Sequence, residues 1–232
     1  MKIPFWPGNL HSIRGLMGWC HLLVEGREAI LIDTGLVGET LLLQGKLGVL
    51  GLGPGDVKAI LLTHGHLDHA GNLAAIKRLT GARVYGHREE VAHVEGRYPY
   101  EGAARVCGYL EAVGRRVLRY ESTAIDEYIA QGDELPFWGG LRVIHLPGHT
   151  KGHCGFYSPR HDLLFCGDLF ASYFFNVHPP PAILNSVPDM IPGSLDRVRR
   201  MNPRHMVPQH FDFCDAALHR RRFDRMMSRR QG

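Results

Sequence analysis

Short apolar segments alternate with turn residues along the first third of the chain. Gly26 and Arg27 separate two such segments, which is the pattern of a β-hairpin, and the run AILLT at 59–63 is typical of a buried strand. Strands are therefore predicted at 21–25, 29–32, 59–63 and 83–85, and helices at 36–50 and 73–79. Alternating strands and helices favour a layered α/β fold.

The pattern changes between residues 86 and 131, where helix-like segments such as 103–118 carry charges on one side. We interpret 86–131 as a helical insertion or lid within a single domain that spans residues 1–232. Beyond it, strands are predicted at 141–146, 155–157, 163–166 and 205–208, and helices at 194–201 and along the basic C-terminal segment. A length of 232 residues suits one sizeable domain that carries a smaller additional segment.

The charge of the chain is concentrated at its end. The formal net charge is +4, but the segment 219–232 alone carries +5, so the rest of the chain carries −1. This distribution argues against a nucleic-acid groove across the fold and favours a solvated terminal helix. Five cysteines without a Cys-x-x-Cys motif predict a reducing, cytoplasmic location. No apolar run approaches the ~20 residues of a membrane span, so no membrane partner is expected.

The strongest chemical pattern is THGHLDH at 63–69, directly after a predicted buried strand. His64 and His66 are two residues apart and point the same way from an extended backbone. Asp68 and His69 follow at the start of a helix. Imidazole and carboxylate groups suit Zn²⁺ and similar ions, and four clustered ligands indicate two ions rather than one.

The order of the motifs resembles that of the metallo-β-lactamase-fold hydrolases, and particularly their glyoxalase II-like branch. The matching motifs are IDTG at 32–35, THGHLDHAGN at 63–72, LPGHTKGH at 146–153, FCGDLF at 165–170 and PQHFD at 208–212. This resemblance implies an α/β fold of the four-layer αβ/βα sandwich type, with metals at the edge between two sheets.

The resemblance also implies a set of metal ligands. The first metal would be held by His64, His66 and His149, and the second by Asp68, His69 and His210. Asp168 would bridge the two metals together with a water or hydroxide, and Asp33 would orient a ligand histidine. The implied cofactors are two zinc ions, with iron or manganese as alternatives.

The sequence context predicts the roles or locations of several further residues. Asp68 is the candidate catalytic group, since a carboxylate beside the bridging hydroxide can take or relay its proton. Tyr173, in the aromatic segment 170–175, is a candidate substrate-binding residue that could donate to a developing oxyanion. His153 flanks His149 and is expected either to pack in the interior or to support the site, whereas His93 is expected on the surface.

The function implied is a binuclear metal-dependent hydrolase that uses a metal-bridging hydroxide on a small ester, thioester or lactone. The alternatives on the same fold are a dedicated lactonase, a phosphodiesterase or nuclease, and an iron-dependent enzyme of persulfide or oxygen redox chemistry. β-Lactamase activity is disfavoured, because the zinc β-lactamases carry a cysteine at the place of Asp168 or lack a bridging aspartate. The expected partner is a small-molecule substrate.

Overall fold

The computed structural model describes residues 5–97, 100, 102–174 and 176–229, without the side chain of residue 103. The chain forms two compact units. The N-terminal unit is Asn9–Ile129, and the C-terminal unit combines Met1–Gly8 with Ala130–Gly232. Each unit contains a β-sheet and helices, as the α/β class predicts. The interpretation of residues 1–232 as one domain stays a prediction.

The N-terminal unit is built on a six-stranded sheet whose strands follow one another in chain order. Its strands are β1 (Leu10–Arg14), β2 (Trp19–Glu25), β3 (Glu28–Ile32), β4 (Val57–Leu61), β5 (Arg83–His87) and β6 (Glu127–Ile129). The first three strands are antiparallel and the last three pairings are parallel. The predicted hairpin is present, with Gly26 at a left-handed φ of 62° in its turn.

The described residues of the N-terminal unit also form five α-helices. They are α1 (Thr40–Val49), α2 (Leu67–Ala70), α3 (Leu73–Thr80), α4 (Val91–Val94) and α5 (Arg105–Val117). Helix α1 begins later than the predicted residue 36, because Gly38 adopts a φ of 94° and the Glu39 carboxylate accepts a hydrogen bond from the Leu36 N–H (3.1 Å). Helix α3 ends at Thr80, one residue beyond the predicted end, and the left-handed Gly81 terminates it.

The segment 86–131 contains helices α4 and α5 together with strand residues near both of its ends, and its interpretation as a helical insertion or lid stays a prediction. Its first residues complete β5, and β6 near its end pairs in parallel with β5 at the edge of the sheet. Strand β6 is three residues long, which is too short to show an alternating pattern. Residues 98, 99 and 101 lie outside the described part of this segment.

The C-terminal unit is built on a five-stranded sheet of order β13-β10-β9-β8-β7 and a separate two-stranded sheet of β11 and β12. The strands are β7 (Glu134–Leu135), β8 (Leu141–His145), β9 (Cys154–Ser158), β10 (Leu163–Gly167), β11 (Ala171–Tyr173), β12 (Asn176–His178) and β13 (His205–Pro208). The helices are α6 (Ile191–Met201) and α7 (Ala216–Arg229). Phe170 and Phe223 are fully buried in the core of this unit.

Helix α7 contains most of the arginine-rich C-terminal segment, and it is solvated along one face only, where Arg221, Arg225 and Arg229 are exposed. Phe223 and Met227 are buried, and Arg222 is buried as well. Its guanidinium donates to Asp212 and to the hydroxyl of Ser172, both at 2.8 Å, so its charge is paired. In the described ranges, no helix is both long enough and apolar enough to cross a membrane.

A pair of glycine substitutions tests the packing of the N-terminal unit. A Cβ at Gly71 would lie 2.4 Å from the Leu67 carbonyl oxygen and 2.6 Å from the Val37 nitrogen, which are backbone atoms that cannot turn away. Gly71→Ala is therefore expected to lower the free energy of unfolding by about 1–3 kcal/mol. The control Gly45→Ala lies in an open part of α1 and should raise it by about 0.5–1 kcal/mol. Urea unfolding midpoints measure both, and equal effects would contradict the packing described.

Candidate metal-binding residues

The histidine loop (Thr63–His69) follows β4 and leads into α2 and α3. His64, His66 and His69 are buried, and Asp68 is the most exposed of the four candidate ligands, with a side chain 19% accessible. The loop therefore places three imidazoles in the interior at the carboxyl end of a central strand. Burial of so many polar rings requires partners for their nitrogen atoms.

The candidate ligand atoms of the histidine loop lie close together. The ring centroid of His64 is 4.6 Å from that of His66 and 4.0 Å from that of His69. A nitrogen of His64 lies within 4.8 Å of one in each of these rings. The Asp68 Oδ2 atom is 3.8 Å from His69 Nε2. The spacing allows neighbouring side chains of the loop to contact the same ion.

A single carboxylate, Asp33, fixes the orientation of two of these rings. Its Oδ2 accepts from Nδ1 of His69 (2.9 Å) and from the Thr63 hydroxyl (2.7 Å), and its Oδ1 accepts from the Thr63 N–H (2.8 Å). Since the Thr63 hydroxyl already donates to Asp33, it accepts from Nδ1 of His64 (3.1 Å). Both rings therefore carry their proton on Nδ1 and present the lone pair of Nε2.

Asp33 itself is held in an uncommon backbone conformation at the end of β3. Its φ is 57°, and its N–H donates to the Leu61 carbonyl (3.0 Å), which ties it to the neighbouring strand β4. The next residue, Thr34, donates through both its N–H (2.7 Å) and its hydroxyl (2.8 Å) to the carbonyl of His69. His69 is thus fixed at its ring and at its backbone by two consecutive residues.

Three buried charged residues hold the backbone of the histidine loop from behind. Glu90 accepts from the Gly65 N–H (2.7 Å), Arg115 donates to the Gly65 carbonyl (2.8 Å), and Glu111 accepts from the Leu67 N–H (2.6 Å). Sequence reasoning missed them, because charges in helical segments usually indicate a solvated face. No local pattern could have found them, since their partners are 25 to 50 residues away along the chain.

Gly65 is required by close packing. A Cβ on this residue would lie 2.4 Å from the Cβ of His93, which belongs to α4. The expectation that His93 lies on the surface is wrong: it is buried, and its ring centroid is 5.5 Å from that of His66. His93 therefore forms part of the wall against which the loop rests.

In the C-terminal unit, His149 is the candidate ligand that follows β8. Its Nδ1 lies 3.0 Å from the Oδ1 of Asn185, and the amide nitrogen of Asn185 donates to the carbonyls of Pro180 (3.0 Å) and Pro181 (3.1 Å). These bonds fix which side of the amide faces the ring, so Nδ1 of His149 donates and Nε2 presents its lone pair. His149 and Asn185 are both buried.

Asp168 lies between two histidines at the end of β10. Its Oδ2 is 3.5 Å from Nε2 of His149 and 3.2 Å from Nε2 of His210. The Asp168 N–H donates to Nε2 of His153 (2.9 Å), and Nδ1 of His153 donates to the Leu146 carbonyl (3.0 Å). His153 is therefore committed to the backbone and supports the site, which is one of the two roles expected for it.

The other predicted residue of this unit is Tyr173. It lies half-buried in β11, next to Ser172, whose N–H donates to the His210 carbonyl (2.8 Å). Its role in substrate binding stays a prediction, and Phe175 of the same segment lies outside the described residues. Cys166, in β10, is fully buried, and burial raises the pKa of its thiol, which disfavours the thiolate form that a nucleophile needs.

The chemistry of these donors fits a divalent metal ion of the zinc type. Imidazole nitrogens and carboxylate oxygens are its usual ligands, and in each unit an acceptor behind the histidine exposes the lone pair of Nε2. Buried acceptors behind the rings are the support that metal-binding histidines normally have. The residues of each unit therefore fit the metal that the sequence motifs imply.

Comparison with known proteins identifies a family whose members this chain resembles. The model of the family described as "Metallo-beta-lactamase superfamily" matches residues 13–210. A metallo-beta-lactamase family protein of Thermus thermophilus has a similar structure, with a TM-score of 0.76 and 27% sequence identity over 96% of this chain and 79% of that one.

Two curated relatives are similar in sequence. Hydroxyacylglutathione hydrolase GloC of Haemophilus influenzae is 29% identical over 158 residues, which are 65% of this chain and 65% of that protein. A hydroxyacylglutathione hydrolase of Pseudomonas aeruginosa is 35% identical over 116 residues, 49% of this chain and 33% of that protein. The matched part thus spans less than two thirds of the length of these relatives.

The role of Asp33 can be tested with Asp33→Asn. The amide oxygen can still accept from the Thr63 N–H, but the amide nitrogen then faces His69 Nδ1 and the Thr63 hydroxyl, where acceptors are needed. His69 is expected to move its proton to Nε2, and the affinity for Zn²⁺ should fall about 10–100-fold. Competition with a chelator measures this affinity. The control is Glu28→Gln, which removes one negative charge from an exposed side chain. An unchanged affinity for Zn²⁺ in Asp33→Asn would refute the role of Asp33.

Proposed function

The chain belongs to the metallo-beta-lactamase superfamily, and we propose that it is a binuclear metal-dependent hydrolase of a small ester, thioester or lactone. The observation that carries this proposal is the pair of acceptor systems behind the histidines, Asp33 with Thr63 in one unit and Asn185 in the other. These acceptors bind the Nδ1 protons and thereby leave the Nε2 lone pairs available to a metal.

Family membership implies a metal cofactor, and we propose two zinc ions, with iron or manganese as alternatives. The residues that would hold the first ion are His64, His66 and His149, those that would hold the second are Asp68, His69 and His210, and Asp168 would serve both. Support comes from the order of the family's motifs and from the geometry within each unit, where Asp168 Oδ2 lies near His149 and His210. When bound, such ions polarise a carbonyl oxygen and make water nucleophilic near pH 7.

The residues of the chain supply positioning and proton transfer. Asp68 is the proposed proton acceptor, because its side chain is the most accessible of the four candidate ligands in the histidine loop and its Oδ2 lies 3.8 Å from His69 Nε2. It would take the proton of the attacking water and pass it to the leaving group. Glu90 and Arg115 keep the loop backbone in place.

Two relatives named hydroxyacylglutathione hydrolase support the thioester among the proposed substrates. We propose a small-molecule substrate rather than a nucleic acid, because the chain outside 219–232 has a net charge of −1. Tyr173 is the proposed oxyanion donor at the substrate. A cytoplasmic location is also proposed, from the cysteine pattern.

His210→Ala tests the two-metal proposal at the residue whose motif departs most from the family pattern, with Pro208-Gln209 before it instead of Pro-Gly. Metal content measured by elemental analysis should fall from about two ions per chain toward one. Turnover should drop at least ~10²-fold, about 2.7 kcal/mol in the barrier.

The matched control for His210→Ala is His178→Ala, an exposed histidine of β12 in the same unit. It should keep the metal content and the turnover of the unaltered protein. Circular dichroism should show that both variants are folded. Two retained metals and ordinary turnover in His210→Ala would place the seventh ligand elsewhere.

A substrate panel separates the proposed function from its alternatives. The zinc-loaded protein should cleave small thioesters and lactones faster than oligonucleotides or β-lactams, and His66→Ala should abolish the cleavage. Preference for lactones alone would identify a lactonase. Faster, salt-sensitive cleavage of oligonucleotides would indicate a nuclease, and turnover of persulfides only in the iron-loaded protein would indicate a redox enzyme.

A further inference from the structure

The outer face of helix α5 carries a row of exposed apolar side chains. Their exposed fractions are 51% for Val106, 73% for Tyr109, 64% for Leu110, 63% for Val113 and 72% for Val117. Single exposed apolar residues are common on protein surfaces, but a contiguous row on one helix marks a contact site. We call these five residues the α5 stripe.

The opposite face of α5 is polar and buried, which is the reverse of an ordinary surface helix. Glu111 and Arg115 lie on that face, and they bond the Leu67 N–H and the Gly65 carbonyl of the histidine loop. These bonds prevent the helix from rotating to bury its apolar side. The α5 stripe therefore stays exposed on the N-terminal unit, and burying it requires a partner molecule.

We propose that the cover is a second copy of this chain, with the two α5 helices packed antiparallel. Val106, Leu110, Val113 and Val117 are spaced by four, three and four residues, which is the heptad pattern of a helix–helix seam. The row is symmetric about its midpoint. In an antiparallel pair Val106 meets Val117 of the other copy, and Leu110 meets Val113, so the same surface serves both partners.

The charges beside the stripe favour the antiparallel arrangement. The exposed charged residues of α5 are Arg105 and Arg116, and the only acidic residue of the helix, Glu111, is buried. The antiparallel pair places Arg116 near Tyr109 of the other copy, where its guanidinium can lie over the aromatic ring.

The area of the stripe suits the centre of a dimer interface. A stable interface buries about 800 Å² on each partner, and five half-exposed to mostly exposed apolar side chains contribute on the order of several hundred Å² of this. A rim of polar residues around the stripe would complete the interface.

The first experiment measures molar mass by light scattering at micromolar concentrations. The unaltered protein should be a dimer, and Leu110→Glu should be a monomer with an unchanged circular dichroism spectrum. The control Leu41→Glu changes a leucine on α1 that is even more exposed, at 75%, and this variant should remain a dimer. A monomeric unaltered protein, or a Leu110→Glu variant that remains dimeric, would overturn the proposal.

Cysteine pairs test the antiparallel register without depending on a disruptive substitution. In a Cys214→Ser background, which removes the exposed native thiol, Val106→Cys combined with Val117→Cys should form a covalent dimer on mild oxidation. Val106→Cys alone should not, since an antiparallel pair separates the two copies of residue 106 by about 16 Å along the axis. A covalent dimer of the single variant would overturn the antiparallel pairing. Both experiments read mass and linkage, so their outcome is independent of the hydrolase proposal.

Discussion

The candidate site depends on where each histidine carries its proton. A neutral imidazole has one N–H and one lone pair, so an acceptor placed behind Nδ1 directs the lone pair of Nε2 forward. Asp33 does this directly for His69 and, through the hydroxyl of Thr63, for His64. Asn185 does the same in the C-terminal unit. The cost of burying the Asp33 carboxylate is offset by three hydrogen bonds at the end of a central strand.

Close backbone packing fixes the loops that carry the histidines. A Cβ on Gly65 would lie 2.4 Å from His93, and one on Gly148, just before His149, would lie 2.4 Å from the Ile191 side chain. Gly148 also adopts a φ of 146°, where other residues are strained. In both units a helix thus approaches the chain next to a candidate ligand. Contacts with these helices hold the two loops in place, and they restrict the positions that the candidate ligands can adopt.

The sequence predicted the local features of the structure better than the distant ones. The β2–β3 hairpin and the helix ending at Gly81 follow from neighbouring residues, and both are present. The motifs likewise indicated the candidate ligands, because those residues cluster at strand ends. The burial of Glu90 and Arg115 was not predictable, since it is determined by backbone groups of the histidine loop 25 and 50 residues away. A periodic pattern records which face of a helix is apolar but not what the other face contacts.

Helix α5 shows why that distinction matters. Hydrophobic periodicity alone would place its apolar side inward, because burial of apolar surface is the main driving force of folding. Here the N–H and carbonyl groups of the histidine loop need partners in the interior, and Glu111 and Arg115 supply them. A buried backbone group without a partner costs about 1–3 kcal/mol, comparable to the gain from burying one valine. The hydrogen bonds that the histidine loop requires therefore turn the polar face of α5 inward. As a consequence, the apolar face of the helix points outward.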